Sequence, residues 1–143
     1  MTGEQPTPLI AVSVAVRNSA SGEFLLVRRG RAPAKGLWAF PGGKLNFGER
    51  LGDAVRRELA EETGLKAQDV RFHKLLELMG DAKEGESAHH FVLAVYRAEA
   101  SGNPVATDDA VQAGWFSLAA MAKLKITATT FAIAREIATA DRR

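Results

Sequence analysis

Glu58, Glu61 and Glu62 stand at i, i+3 and i+4, so on a helix of 3.6 residues per turn their carboxylates project together. Leu51 to Gly64 reads as such a helix, closed by a glycine that takes the left-handed conformation just past a helix end without a Cβ penalty. Leu51, Val55, Glu58 and Glu62 share one stripe, with Glu61 at its edge. The stripe begins apolar, as a core-facing side should, then carries carboxylates where leucines are expected. Buried ionised carboxylates are costly unless they meet cations or a metal. A cluster of oxygen donors suits a hard divalent ion such as Mg²⁺.

The plainer reading is a solvated acidic face braced by Arg56 and Arg57, and for an isolated acid-rich helix it would be the better one. The segment just before it changes the balance. Gly36-Leu-Trp-Ala-Phe-Pro-Gly-Gly43 is a turn-rich approach that brings bare backbone close to a ligand. Glu49 and then the Arg57-Glu58 pair follow at fixed spacing.

Gly43, Glu49, Arg57, Glu58, Leu59, Glu61, Glu62, Gly64 and Leu65 fill every defined position of the Nudix box, G-x5-E-x7-R-E-U-x-E-E-x-G-U, where U is a bulky aliphatic residue. Over residues 43–65 the chain therefore resembles the Nudix hydrolases, the MutT-like family, and the preceding WAFPGG of Trp38 to Gly43 resembles the family's usual entry into the box. The match is specific for reaction class and says little about substrate. It implies an α/β/α sandwich around a mixed sheet, and metal-assisted hydrolysis of a phosphoanhydride.

By position, the resemblance implies Glu58 and Glu62 as principal metal ligands, Glu61 as a further ligand and the Gly43 carbonyl as a ligand from the loop. Arg57 would orient a box carboxylate, and Glu49 would secure the loop to the helix. Mg²⁺, or Mn²⁺ in its place, is the expected ion; it would neutralise charge on a diphosphate and activate a water for in-line attack. The box leaves the general base open, because family members use either a box glutamate or an acid on a later loop. Asp108 and Asp109, shortly before Trp115, are the later-loop candidates, with Asp109 the first choice as a catalytic residue, and a second loop offers Glu84 and Glu86. A solvated turn is an equally good reading of the aspartate pair.

Arg28, Arg29, Arg31 and Lys35 cluster just before the glycine loop. Any one of them fits a solvated basic loop, but their place beside a phosphate site favours one or two contacting an anionic substrate, Arg28 and Arg29 first, since guanidinium forks match phosphate oxygens. Trp38 and Phe47 are candidates to stack on a nucleobase, although aromatics in such loops more often pack into the domain. Other chemistries fall away. Gly42-Gly43-Lys44 is no P-loop: the required earlier glycine falls at Trp38, and Leu45 stands where a hydroxyl is needed. His73, His89 and His90 lack zinc-helix spacing, and the last two alternate across a strand start. No G-x-S-x-G elbow supports a serine hydrolase.

The elements that must hold this site can be read from periodicity. Leu9 to Val16 reads as a buried strand, Asn18 to Gly22 as a turn and Glu23 to Arg29 as a second strand, giving a hairpin. Residues 30–49 read as one long loop, and long loops in compact domains are usually functional. Val70 to Met79 and His89 to Glu99 read as strands, the latter apolar on both faces and hence between layers. Ala106 to Ala113 reads as an acidic loop and Gly114 to Leu118 as a short strand. Ser117 would cap a brief helix over Leu118 to Leu124, and Thr130 to Ala140 reads as an amphipathic helix. Together these predict an α/β fold, a mixed sheet with helices on both faces.

A length of 143 residues fits one domain over 1–143 with frayed residues 1–7, and 46% hydrophobic with 25% charged residues is ordinary for a globular protein. With no cysteine, disulfides, thiolate metal sites and cysteine nucleophiles are excluded. The start MTGEQPTP has neither a basic n-region nor an apolar h-region, and no run reaches membrane length, so a cytoplasmic protein is expected. A net charge of +2 is too small to imply nucleic-acid binding. Small hydrolases of this type often form homodimers. The expected reaction is cleavage of a nucleoside diphosphate linked to another moiety, with ADP-ribose first. A sanitiser of oxidised nucleoside triphosphates is the enzyme alternative. A non-catalytic nucleotide-binding sensor stands well behind, since no box carboxylate is lost.

Overall fold

The computed structural model describes residues 6–83 and 87–142. The expectations that touch residues 1–5, and those on Glu84 and Glu86, fall outside the described residues.

β1 (Leu9–Arg17) and β2 (Phe24–Arg29) are antiparallel neighbours. The turn between them is set by Asn18, whose Oδ1 accepts from the amides of Ala20 and Ser21, and by Gly22 at φ 76°. The segment expected as one long loop contains two short strands, β3 (Trp38–Ala39) and β4 (Gly42–Lys44). α1 (Leu51–Thr63) follows, then β5 (Gln68–Gly80), β6 (His89–Glu99), β7 (Ala110–Phe116), α2 (Leu118–Met121) and α3 (Ala128–Asp141). β7 begins within the expected acidic loop, because its backbone pairs with β2 from Phe24–Phe116 to Arg29–Ala110. α2 stops at Met121, three residues short of the expected end, while Ser117 Oγ does accept from the Ala120 amide at its start.

The sheet runs β3-β2-β1-β6-β5, with β4 added on β1 and β7 on β2. β1 and β6 are parallel over Leu9–Phe91 to Arg17–Glu99 and the named pairs beside them are antiparallel, so the sheet is mixed. Alternation along β1 feeds two cores. Val12, Val14 and Val16 meet Ala54, Val55 and Leu59 of α1 on one face. On the other, Ala15, Leu26 and Val95 meet Met121 and the Ile133, Ala134, Ile137 and Ala138 stripe of α3. Each fully buried leucine or valine in these layers contributes about 1.5–3 kcal/mol. The result is a helix–sheet–helix sandwich. No helix among the described residues is long and apolar enough to cross a membrane.

Candidate active site

The core on the α1 face fixes the rotation of that helix, and thereby the carboxylates. Ala54, Val55 and Leu59 are fully buried, so the next positions on the same side, Glu58 and Glu62, are driven inward to 9% and 6% exposure. Gly64, at φ 75°, ends the helix with its amide on the Ala60 carbonyl. Opposite them lies β4, antiparallel to β1 with Gly43 beside Val12. A Cβ on Gly42 would strike the Val12 carbonyl, and one on Gly43 would strike the Glu58 carboxylate. Gly42 therefore needs glycine for close backbone approach, whereas a side chain at Gly43 would displace the Glu58 carboxylate.

Glu62 accepts the Gly42 amide at 2.8 Å. Burial nonetheless pushes its carboxyl up to about 8, helped by the neighbouring charges of Glu58 and Asp109. Burial also raises Glu58, against the pull of Arg57. Arg57 is the hub of the opposite side. Its Nε and Nη2 donate to the two oxygens of Glu49 at 2.7 and 2.9 Å, and Nη1 donates to Glu58 at 2.7 Å and Glu61 at 3.3 Å. Nη2 also reaches the Lys44 carbonyl at 3.1 Å. Glu49 in turn accepts the Asn46 amide, so the β4–α1 loop is clasped to the helix through one guanidinium. Glu61 is the outlier of the trio, with its side chain 44% exposed.

A cavity of about 500 Å³ opens beside Glu58 and Glu62 and reaches Arg29, Arg31, Lys44, Asp108 and Asp109. It is lined as well by Phe40, Leu78, Phe91 and Leu93, and by Thr127, Thr129 and Thr130 at the start of α3. Sequence reading did not find these threonines or Ser13, because α3 and β1 meet the box only through the fold. Burial pulls Arg29 below its ordinary pKa against the opposing field of Glu62 and Asp109. Its Nε donates to the Pro33 carbonyl. Arg31 pairs with Asp109 at 2.9 Å.

Two expected substrate contacts sit elsewhere. Arg28 points along the surface to the Gly36 carbonyl and Gln112 Oε1, each at 3.2 Å. Trp38 packs edge-on against Phe116, with centroids 4.9 Å apart, in the core beneath α3. Neither is among the residues that line the cavity, because strand alternation turns Arg28 away from the face Arg29 uses. Phe47 is fully exposed. The histidines also lie outside the lining, with His73 bound to Glu136 at 2.7 Å and His89 packed over Gly80.

The chemistry of the donor set fits a divalent cation. Two buried carboxylates one helical turn apart, each pushed toward protonation, face a strand whose side chains are trimmed to glycine. Among the described residues no three acids or histidines are already drawn into a closed cage. Arg57 engages Glu58 and Glu61, and the Gly42 amide engages Glu62.

These features define a mixed-sheet sandwich with an acidic helix set against a glycine strand. A family model described as the NUDIX domain matches residues 7–136, and the chain belongs to this family, whose hydrolases generally need a divalent metal. It is 32% identical over 120 residues to the ADP-ribose pyrophosphatase of Methanocaldococcus jannaschii, a match spanning 82% of this chain and 66% of that protein. It is 28% identical over 110 residues to an 8-oxo-dGDP phosphatase of Mus musculus, spanning 73% of this chain and 31% of that one. The chain thus spans less than two thirds of the length of these curated relatives. The crystal structure of the MutT NUDIX hydrolase from Burkholderia pseudomallei superposes with a TM-score of 0.76 at 32% identity, over 92% of this chain and 98% of that one.

Proposed function

We propose that this chain, a single Nudix domain over residues 1–143 with its box at 43–65, is a divalent-metal-dependent pyrophosphohydrolase. Its substrate is a nucleoside diphosphate linked to another moiety, with ADP-ribose favoured. The observation that carries the reading is the pair Glu58 and Glu62, buried side by side against glycine backbone with their carboxyls raised by burial. Such acids gain most from a cation that restores their ionised form.

Glu58 and Glu62 would hold the ion, with Glu61 and the Gly43 carbonyl as further donors and Mg²⁺ or Mn²⁺ as the ion. Bound there, it would supply charge neutralisation on the diphosphate and acidify a water. Arg57 keeps Glu58 oriented by a charge-assisted hydrogen bond. Arg29, which lines the cavity with Arg31 and Lys44, would bind a phosphate oxygen. Asp109 or Asp108 would take the proton from the attacking water, since both line the same cavity as the box glutamates. The Phe40, Phe91 and Leu93 lining of the cavity, with the α3 threonines, offers apolar surface and hydroxyls for the remainder of the substrate.

Two relatives favour different substrates. The archaeal ADP-ribose pyrophosphatase supports ADP-ribose, giving AMP and ribose 5-phosphate. The second reading is a sanitiser of oxidised nucleoside triphosphates; the 8-oxo-dGDP phosphatase favours an oxidised nucleotide but as the diphosphate. The cytoplasm is the proposed compartment. A homodimer is retained as a proposal, on the exposed Phe72, Leu75 and Met79 of β5. The test is product profiling with Mg²⁺ and Mn²⁺ against ADP-ribose, NADH, diadenosine polyphosphates, nucleotide sugars and 8-oxo-dGDP and its triphosphate. Release of AMP and ribose 5-phosphate supports the first reading, and preference for the oxidised nucleotides supports the second. Binding without turnover of any of them would move the chain to the sensor class.

A further inference from the structure

The acids of the later loop and two glutamates of α1, Glu58 and Glu62, are far apart in sequence yet line the same cavity. What joins them is the segment just before the aspartates. The last carbonyls of a helix have no partner within it. Here they are taken up by an incoming strand of chain: the Val105 amide donates to the Thr63 carbonyl and the Thr107 amide to the Glu62 carbonyl, each at 3.0 Å. The Thr107 hydroxyl adds a bond to the Glu61 carbonyl. Immediately beyond, Asp108 turns the chain in the left-handed region at φ 56°, and the Asp109 carbonyl accepts the Gly30 amide at 2.9 Å. The Ala110 amide closes back on the Thr107 carbonyl at 3.1 Å.

We propose that Thr107 is a positioning residue: its hydroxyl locks the aspartate loop to the very helical turn that carries Glu61 and Glu62. The inference rests on the proposed phosphoanhydride hydrolysis and adds the part that fixes the loop acids against the box. The amide bonds from Val105 and Thr107 do not depend on the Thr107 side chain, so its hydroxyl is the link to α1 that substitution removes, while Arg31 pairs with the Asp109 carboxylate separately. Without it the loop retains its path but Asp108 and Asp109 sample a wider range, and a misplacement on the order of 1 Å can cost about a hundredfold in rate. The effect falls on the chemical step and not on substrate binding, because Thr107 is not among the residues lining the cavity.

The test compares Thr107→Val, which keeps shape and removes the hydroxyl, with Thr107→Ser, which keeps the hydroxyl. With the substrate found by product profiling, Thr107→Val is expected to lower kcat about tenfold or more, the equivalent of one net hydrogen bond, with KM within about twofold and kcat restored in Thr107→Ser. In an Asp108→Asn or Asp109→Asn background, whichever is slowed but measurable, Thr107→Val is expected to add little, because the residue it positions is gone. Amide hydrogen exchange on the metal-free protein supplies the reading that turnover does not. Val105, Thr107 and Ala110 should exchange about tenfold faster in the valine variant and at the native rate in the serine variant.

Unchanged kcat and exchange in Thr107→Val would overturn the proposal. So would an equal loss in that background, or Asp108→Asn and Asp109→Asn proteins both as fast as the native one, since there would then be nothing to position. Failure of the native protein to turn over any phosphoanhydride would instead strike the functional reading, and the exchange comparison would still decide whether the hydroxyl holds the loop. Should the valine variant fold poorly, Thr107→Ala carries the same comparison.

Discussion

Two assemblies of guanidinium and carboxylate sit at opposite ends of β1, and they are balanced in opposite ways. At its C-terminal end one acid serves two bases. Asp141 of α3 accepts from Arg17 at 2.6 Å and from Arg97 at 2.8 Å. At the active site one base serves three acids: Arg57 divides itself among Glu49, Glu58 and Glu61, and Glu62 is left with a backbone amide. The pKa values follow. Burial opposes ionisation of Asp141, but the bonds from Arg97 and Arg17 outweigh it and hold the carboxyl below its ordinary 3.8. Burial at Glu62 meets no such answer and carries the group from 4.5 to about 8. The first assembly is complete in the folded chain and pins α3 to the sheet. The second holds carboxyls that folding leaves short of cations and that burial pushes toward protonation, which suits a site that takes up a cation.

The sharpest way to break this contrast is Glu62→Gln. With Mg²⁺ and the best substrate it should lower kcat by about a thousandfold, since the charge stabilisation supplied by a bound metal is worth several kcal/mol. The same substitution should stabilise the metal-free protein. Between pH 4.5 and about 8 the folded chain keeps a proton on Glu62 that the unfolded chain has lost, so native stability falls as pH rises through that window. Glutamine keeps the Gly42 bond and has no proton to lose. At pH 8 the variant's Tm, without metal, should exceed the native one by about 5 °C or more. A lower Tm with turnover intact would make Glu62 a structural acid like Asp141.

Arg57→Lys is the next test, and it asks whether the shared base is a hub or only a charge. A lysine cannot present the fork that spans both oxygens of Glu49 while reaching Glu58. Turnover and metal affinity should fall together by about 10–100-fold, the usual cost of losing a group that orients a ligand. Metal titration by calorimetry separates the two. Native affinity with slowed turnover would move Arg57 from ligand orientation to the substrate.

The carboxylate side of this comparison was largely legible in the sequence, and its surroundings were not. Apolar spacing at Leu51 and Val55 put Glu58 and Glu62 on the core-facing stripe of α1, and the glycine-rich approach with the box spacing favoured that reading over a solvated acidic face. The hairpin and β6 were visible through β-branched runs and the turn residues Asn18 and Gly22. β4 was not, because Gly42-Gly43-Lys44 carries no alternation and reads as a loop; only the close approach to Val12 makes it a strand. β7 was read as starting late, since its first residues take their pairing from β2 and not from their own pattern. The docking of residues 105–107 onto the end of α1 is a backbone contact between distant segments, for which side-chain patterns hold no signal. Arg28 and Trp38 were chosen by proximity in sequence to the glycine loop, and strand alternation and core packing then carried them away from the cavity.

Asp141→Asn probes the complete assembly, and its expected effect is the smallest. The site is a third exposed, so solvent screens the pair and the loss should be about 1 kcal/mol, or a fall in Tm of about 3 °C at neutral pH. The sign with pH is opposite to that at Glu62. A carboxyl held below its ordinary 3.8 contributes stability that is present above that value and disappears as pH falls through the folded-state pKa. The native protein and the variant should therefore converge in Tm as pH falls below 3.8, whereas native and Glu62→Gln proteins converge near pH 4.5 and separate as pH rises. Turnover should be unaffected, because Asp141 is not among the residues lining the active-site cavity. Thermal melts of the metal-free proteins from pH 3 to pH 8 decide it: two curves with the same pH sense would mean that both assemblies are structural.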